Sequence, residues 1–221
     1  MLDVRPFVCC FALVALFSSR SIAEAQHKET RVFHIQVNGK DAGSSTIEIR
    51  EENGKTYMKG NVEVHIKPIL APAYNFRMDT EEWWREGRLA NMKTITTENG
   101  KRVEVVADAK ADHILVHVNG QVRSVSWECW SNSFWKLADR RFHNQKVPML
   151  EADTGKEVMG KLGYIGVANI VVAGTPEKCF HFRVTDIAVP TDLWYDQHHR
   201  LVRQEFTESG QKTIVQLMGR K

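Results

Sequence analysis

Residues 58–66 read MKGNVEVHI, and that stretch decides the fold. Met58, Gly60, Val62, Val64 and Ile66 alternate with Lys59, Asn61, Glu63 and His65. A small or oily side chain at every second position gives a pleated strand one apolar and one polar face, whereas a helix needs spacings of three and four. The rhythm continues on both sides. Phe33, Ile35 and Val37 carry it before, with Ile47 and Ile49. Tyr74, Phe76 and Met78, then Val103, Val105 and Ala107, then Ile114, Val116 and Val118 carry it after, and Phe180, Phe182 and Val184 repeat it late in the chain. Asn38-Gly39, Asn53-Gly54, Asn99-Gly100 and Asn119-Gly120 interrupt the alternating segments, and Glu86-Gly87 does so in a similar way. Asn-Gly supplies the two positive φ angles of a type I′ turn, so consecutive strands pair as tight antiparallel hairpins.

At ordinary strand length the chain predicts about ten to twelve strands. So many strands with one apolar face must curl to cover it. The expected fold is mainly β: a strongly curved antiparallel sheet or open half-barrel meander with one short helix. A two-sheet sandwich is the alternative. The helix is expected at Ser131–Arg141, SNSFWKLADRR, where Phe134, Trp135 and Ala138 break the two-residue period behind a Ser or Asn cap. Asp153-Thr154-Gly155 reads as a turn, and Pro68 and Pro72 bound a bend or strand switch at Ile69-Leu70-Ala71.

A chain of 221 residues with 43% hydrophobic and 26% charged residues is neither disordered nor of low complexity. Its 30 basic against 27 acidic residues leave too little positive charge for a nucleic-acid footprint. A mean hydropathy of −0.36 excludes a polytopic membrane protein. Residues 1–25 read as a secretory signal peptide: Arg5, the apolar run FVCCFALVALF at 7–17, then Ala23-Glu24-Ala25. The run is too short for a stable span, and a buried helix leaves the Ala-x-Ala pattern unexplained. Cleavage between Ala25 and Gln26 leaves residues 26–221 as a single β-rich domain without a stable membrane span, periplasmic or secreted.

Cys9 and Cys10 leave with the leader, so Cys129 and Cys179 remain. An oxidising compartment permits a bridge between them, worth roughly 3–4 kcal/mol if unstrained. Two buried free thiols are the alternative reading.

The six tryptophans are the candidate binding residues: Trp83, Trp84, Trp127, Trp130, Trp135 and Trp194. They suit an aromatic-lined cleft for an apolar or sugar-like ligand, set against the ordinary filling of a core by large aromatics. Trp83 and Trp84 must face opposite ways on a strand. His113 and His117 stand roughly 13 Å apart on a strand, too far for one metal ion. Cys179 and His181, with Cys129, fall short of a zinc ligand set. His198-His199 sits where a hairpin must turn. The adjacent pairs Glu51-Glu52 and Glu81-Glu82 point apart and do not make a glycosidase carboxylate pair. No phosphate-binding, zinc-protease or nucleophile-elbow motif occurs. The sequence therefore singles out no catalytic residue, no cofactor and no metal, and leaves catalysis open.

FHIQVNGKDAG at 33–43, YNFRMDTEEWWREGRLANMKTITTENGK at 74–101, SNSFW at 131–135, EADTGK at 151–156 and DLWYDQHHRLVRQEF at 192–206 occur in the order of a known family. In these stretches the chain resembles an exported, β-rich bacterial family catalogued as domain of unknown function 6134. His198-His199 departs from it, standing where a glycine-bearing turn is expected. The resemblance implies a curved antiparallel sheet similar to the half-barrel of periplasmic lipoprotein carriers, whose concave side holds acyl chains. It brings no catalytic residue. The expected function is a non-enzymatic periplasmic binding or carrier module for a hydrophobic or lipid-like ligand. The alternative is an envelope structural protein that meets a protein partner. A hydrolase with scattered residues is third.

Overall fold

Alternation and turns together produce fifteen strands, more than the expected ten to twelve. The computed structural model describes residues 27–67 and 73–221; the expected leader with its Ala25/Gln26 junction and the bend expected between Pro68 and Pro72 lie outside them. Eight strands come first: β1 His27–Val37, β2 Lys40–Glu52, β3 Lys55–Ile66, β4 Tyr74–Arg85, β5 Arg88–Glu98, β6 Lys101–Ala109, β7 His113–Val118 and β8 Gln121–Ser126. Seven follow: β9 Trp130–Ser131, β10 Gln145–Leu150, β11 Glu157–Val172, β12 Thr175–Thr185, β13 Thr191–Tyr195, β14 Leu201–Glu208 and β15 Gln211–Arg220. All lie in one sheet, in the order β8 to β1, then β15 back to β9. Every neighbouring pair is antiparallel except β9 with β10. The sandwich alternative falls away, because β1 pairs with β15 and joins the two arms into one surface.

The sheet is curved but not closed. Its ends are β8 and β9, yet only residues 127–129 separate them in the chain. So short a link spans at most about 14 Å from Ser126 to Trp130, so the edges must approach one another. Glu157, the first residue of β11, reaches across: its Oε1 accepts from Ser126 N at 3.0 Å and faces Cys129 Sγ at 3.6 Å.

The Asn-Gly turns form as read, with φ of 50° and 74° at Asn38-Gly39 and 47° and 86° at Asn119-Gly120. Ala173-Gly174 and Ser209-Gly210 make the same turn without asparagine. His199 takes φ 59° in the turn before β14, a backbone region histidine tolerates better than most residues. Gly43 does a different job. It has φ +152°, beside the bulge that shifts register between Ile35 and Gln36, and a Cβ there would lie 1.9 Å from the Glu63 carbonyl oxygen. Backbone cannot yield as a side-chain tip does. Gly43→Ala is expected to cost about 3 kcal/mol through strain and overpacking, seen as a fall of roughly 6–12 °C in the thermal midpoint.

The expected helix at Ser131–Arg141 is not formed, and a single 3-10 turn at Arg140–Phe142 stands at its end. The reason lies in long-range pairing. Asn132 N donates to Leu150 O, Leu137 N to His199 O, and Leu201 N to Trp135 O, so these backbone groups are already engaged outside the segment. Phe134 has φ 53°, which no α-helix permits. Residues 130–139 instead form an extended strap across the apolar face. Phe134, Trp135, Leu137 and Ala138 of the strap are buried against Phe33, Ile49 and Met58 of the first strands and Phe182, Leu193 and Tyr195 of the later ones. A second cluster forms where Leu150 and Ala152 pack among Leu89, Met92, Val105 and Val116. The chain thus fills the concave side of its own sheet.

Cys129 and Cys179 are free and lie in different clusters, so the bridge is not made. Burial pushes the Cys129 thiol well above its ordinary value of 9, helped by the Glu157 charge, and raises Cys179 to about 11. Thiols held this high stay protonated at neutral pH in the apolar surroundings that bury them.

Candidate functional site

Four of the six tryptophans converge. Strand β4 presents Trp84 inward, and the strap with its approach brings Trp127, Trp130 and Trp135 to the same mouth of the sheet. There they wall a cleft of about 780 Å³, which Tyr164, Phe180 and Phe182 also line. The rings meet edge to face: Trp84 and Trp135 at 6.1 Å, Trp130 and Phe134 at 5.0 Å, Tyr164 and Phe182 at 5.3 Å. Trp127 and Tyr164 remain exposed at 38% and 45%, so the cleft offers aromatic surface to solvent. The other two tryptophans are elsewhere. Trp83 faces the opposite way from Trp84, beside Tyr57 in a second depression of about 550 Å³ that Trp84 also borders. Trp194 stacks on His181 with centroids 4.3 Å apart.

Two buried polar groups hold the strap, and composition gave no hint of either. The first is Glu82, fully buried in a cross-strand row between Met58 and Met92. One oxygen of its carboxylate accepts from the indole nitrogens of Trp84 and Trp135, each at 2.8 Å, and the other from Ser131 Oγ at 2.6 Å. All three donors are neutral. The second is Arg31, which donates to Trp135 O at 2.6 Å and to both oxygens of Glu29 at 3.0 and 3.1 Å. Trp135 is therefore clamped at its indole by Glu82 and at its carbonyl by Arg31.

Arg31 belongs to a network of balanced charge. Glu29 also faces Arg200 at 3.4 Å, Asp196 faces Arg200 at 2.7 Å and Arg220 at 3.1 Å, and Arg220 donates twice to Glu177. Burial alone would raise Glu29, but the Arg31 hydrogen bond and the charges of Arg31, Arg200 and Arg220 outweigh it and hold the carboxyl below 4.5. Asp196 is likewise pushed up by burial, yet hydrogen bonds from the Arg200 backbone and side chain hold it below 3.8. A carboxyl depressed in the fold contributes stability that is full above its unfolded value and is lost as pH falls through the folded one. The thermal midpoint is expected to be flat from pH 7 to about 5, then to fall steadily below about pH 4. A midpoint that rises on acidification counts against this network.

Among the described residues no group of three or more His, Cys, Asp and Glu side chains is placed to hold a metal ion. His113 is half-buried and His117 exposed, on the polar side of β7 opposite buried Ile114 and Val116. No helix among the described residues is long and apolar enough to cross a membrane.

These features define a class: an open, barrel-like single sheet, filled by its own strap, with an aromatic cleft at one mouth. The chain belongs to the family described as Domain of unknown function (DUF6134), whose family model matches residues 33–218. Among solved structures it is similar to a β-barrel-like protein of domain of unknown function DUF1849 from Brucella abortus. The two share 7% identity over 88% of this chain and 97% of that one, with a TM-score of 0.65. At that identity the likeness concerns the fold alone. No curated protein matches the chain.

Proposed function

We propose that this protein is a non-enzymatic binding or carrier module of the bacterial envelope that takes a hydrophobic or lipid-like ligand in the tryptophan-walled cleft. One observation carries the reading: Trp84, Trp127, Trp130 and Trp135, distant in sequence in part, line one open cleft of about 780 Å³. That volume lies in the range of small-molecule sites. The concave side of the sheet is filled by the strap, so the cleft at the mouth is the place for a ligand while the strap is seated. The leader pattern at 1–25 supports delivery outside the cytosol, and N-terminal sequencing of the purified protein is expected to begin at Gln26.

The test is a tryptophan-fluorescence titration with a lysophospholipid below its micelle concentration, beside native mass spectrometry of protein taken from its own envelope. A saturable spectral shift is expected, weakened by about tenfold in Trp127→Ala, since a lost aromatic contact is worth on the order of 1–2 kcal/mol. A linear, unsaturable response in the unaltered protein defeats the reading. The alternative, an envelope protein that meets a protein partner, is favoured by β11, which exposes Ile165, Val167 and Val171 at 51–59%.

A further inference from the structure

The cleft that walls the proposed ligand with aromatic rings carries positive charge at its rim. Arg88, Lys136, Arg140 and Arg141 line it, against Glu128 and Asp139 alone. Arg141 is taken up: it donates to Glu128 at 2.7 Å and faces Asp139 at 3.9 Å. Among the described residues Arg88, Lys136 and Arg140 form no ion pair, and all three are exposed. The contrast with the interior is sharp, because there Arg31, Arg200 and Arg220 are matched by Glu29, Asp196 and Glu177.

Two of these three rim cations are also held against rings. The Arg88 guanidinium lies 3.8 Å from the centre of the Trp127 ring and Lys136 Nζ 5.9 Å from that of Trp135. Stacking fixes the plane of Arg88 and leaves its N–H edge free to donate. His143 adds nothing to this charge at neutral pH, since burial holds its imidazole below 6.5. An aromatic wall ending in unpaired, oriented cations fits a ligand with an apolar tail and a negatively charged head.

We infer that the cleft selects a single-chain anionic amphiphile, with a carboxylate or phosphate head held by Arg88, Lys136 and Arg140 and the tail against Trp127 and Tyr164. This rests on the cleft being the binding site, and it adds the charge of the head as the basis of selection. Charge-assisted hydrogen bonds are roughly twice as strong as those between neutral groups. One or two net bonds at an exposed rim make the anionic head about ten- to hundredfold tighter than a neutral head of equal tail length.

The experiment compares dodecyl phosphate, laurate, dodecylphosphocholine and dodecyl maltoside below their micelle concentrations, with inorganic phosphate alone as a fifth probe. Binding is read by tryptophan fluorescence and by calorimetry. Dodecyl phosphate and laurate are expected to bind about ten- to hundredfold tighter than the maltoside. That preference should collapse in K136Q/R140Q, and in about 1 M salt, where screening shortens to ~3 Å. The variant should keep its affinity for the maltoside and lose no more than about 4 °C of thermal midpoint, because both residues are exposed and make no ion pair, and only the 5.9 Å contact of Lys136 with the Trp135 ring is given up. Equal affinity for charged and neutral heads overturns the inference and leaves the cleft as the site. Binding of inorganic phosphate as tight as dodecyl phosphate overturns it too, since the tail then contributes nothing. Failure of every amphiphile to bind removes the proposed function itself.

Discussion

Glu82→Leu is expected to lower stability by about 4 kcal/mol, a fall of roughly 8–16 °C in the thermal midpoint for a chain of this size. Leucine takes the place between Met58 and Met92 but accepts nothing. The indole N–H groups of Trp84 and Trp135 and the Ser131 hydroxyl would then lose their common acceptor. Each stranded donor costs about 1–3 kcal/mol, and relaxation of the strap recovers part of the sum. Glu82→Gln should behave quite differently. Its carbonyl oxygen can serve both indoles, while its amide nitrogen can donate to Ser131 Oγ, which reverses its role. It also removes a buried charge that has no cationic partner. Its expected effect is within about 1 kcal/mol of zero, with the near-ultraviolet tryptophan dichroism retained. A tolerated leucine, or a damaging glutamine, would mean that Glu82 does not hold the strap by its hydrogen bonds.

The sheet was legible because its signals are local. Alternation at 33–37, 58–66 and 114–118 needs no knowledge of the partner strand, and Asn-Gly sets a turn by its own backbone preference. The strap was misread for the opposite reason. SNSFWKLADRR breaks the strand period as a helix would, but the course of Phe134, Trp135 and Leu137 is decided by Tyr195, Leu201 and His199, far away in the chain. Tertiary pairing overrides propensity there. The tryptophans were legible as a group and not as a geometry. Trp83 and Trp84 separate by strand parity alone, whereas Trp194 is drawn off the cleft by its stacking on His181.

The clamps could have been found by parity. Thr80, Glu82 and Trp84 share one face of β4, and Glu29, Arg31, Phe33 and Ile35 share one face of β1. A charge in phase with an apolar row is a buried charge, and Glu29 with Arg31 two residues on is a pair ready to satisfy itself. The rule that acids and bases lie at the surface hid both. The state of the cysteines had no local signal, since it depends on which cluster each strand end enters.

Arg31→Met carries the second large effect, and it tests whether the two clamps act on one object. Methionine keeps the apolar stem and deletes the guanidinium. Trp135 O then loses its short donor and keeps only Leu201 N at 3.4 Å, while Glu29 keeps Arg200 at 3.4 Å and Arg220 at 3.9 Å. Removing one partner of a buried pair costs about 3–5 kcal/mol. The two remaining cations place this case near 3, seen in the midpoint of chemical denaturation at pH 7. Combined with Glu82→Leu the loss should be less than the sum, by about 0.5–3 kcal/mol, because once either clamp fails Trp135 leaves and the other clamp has little left to hold. Gly43→Ala serves as the control. It strains the β2–β3 pairing and has no partner at the strap, so with Glu82→Leu it should add to within about 0.5 kcal/mol. Full additivity of Arg31→Met with Glu82→Leu would show that each residue stabilises its own neighbourhood and that Trp135 is not the common element.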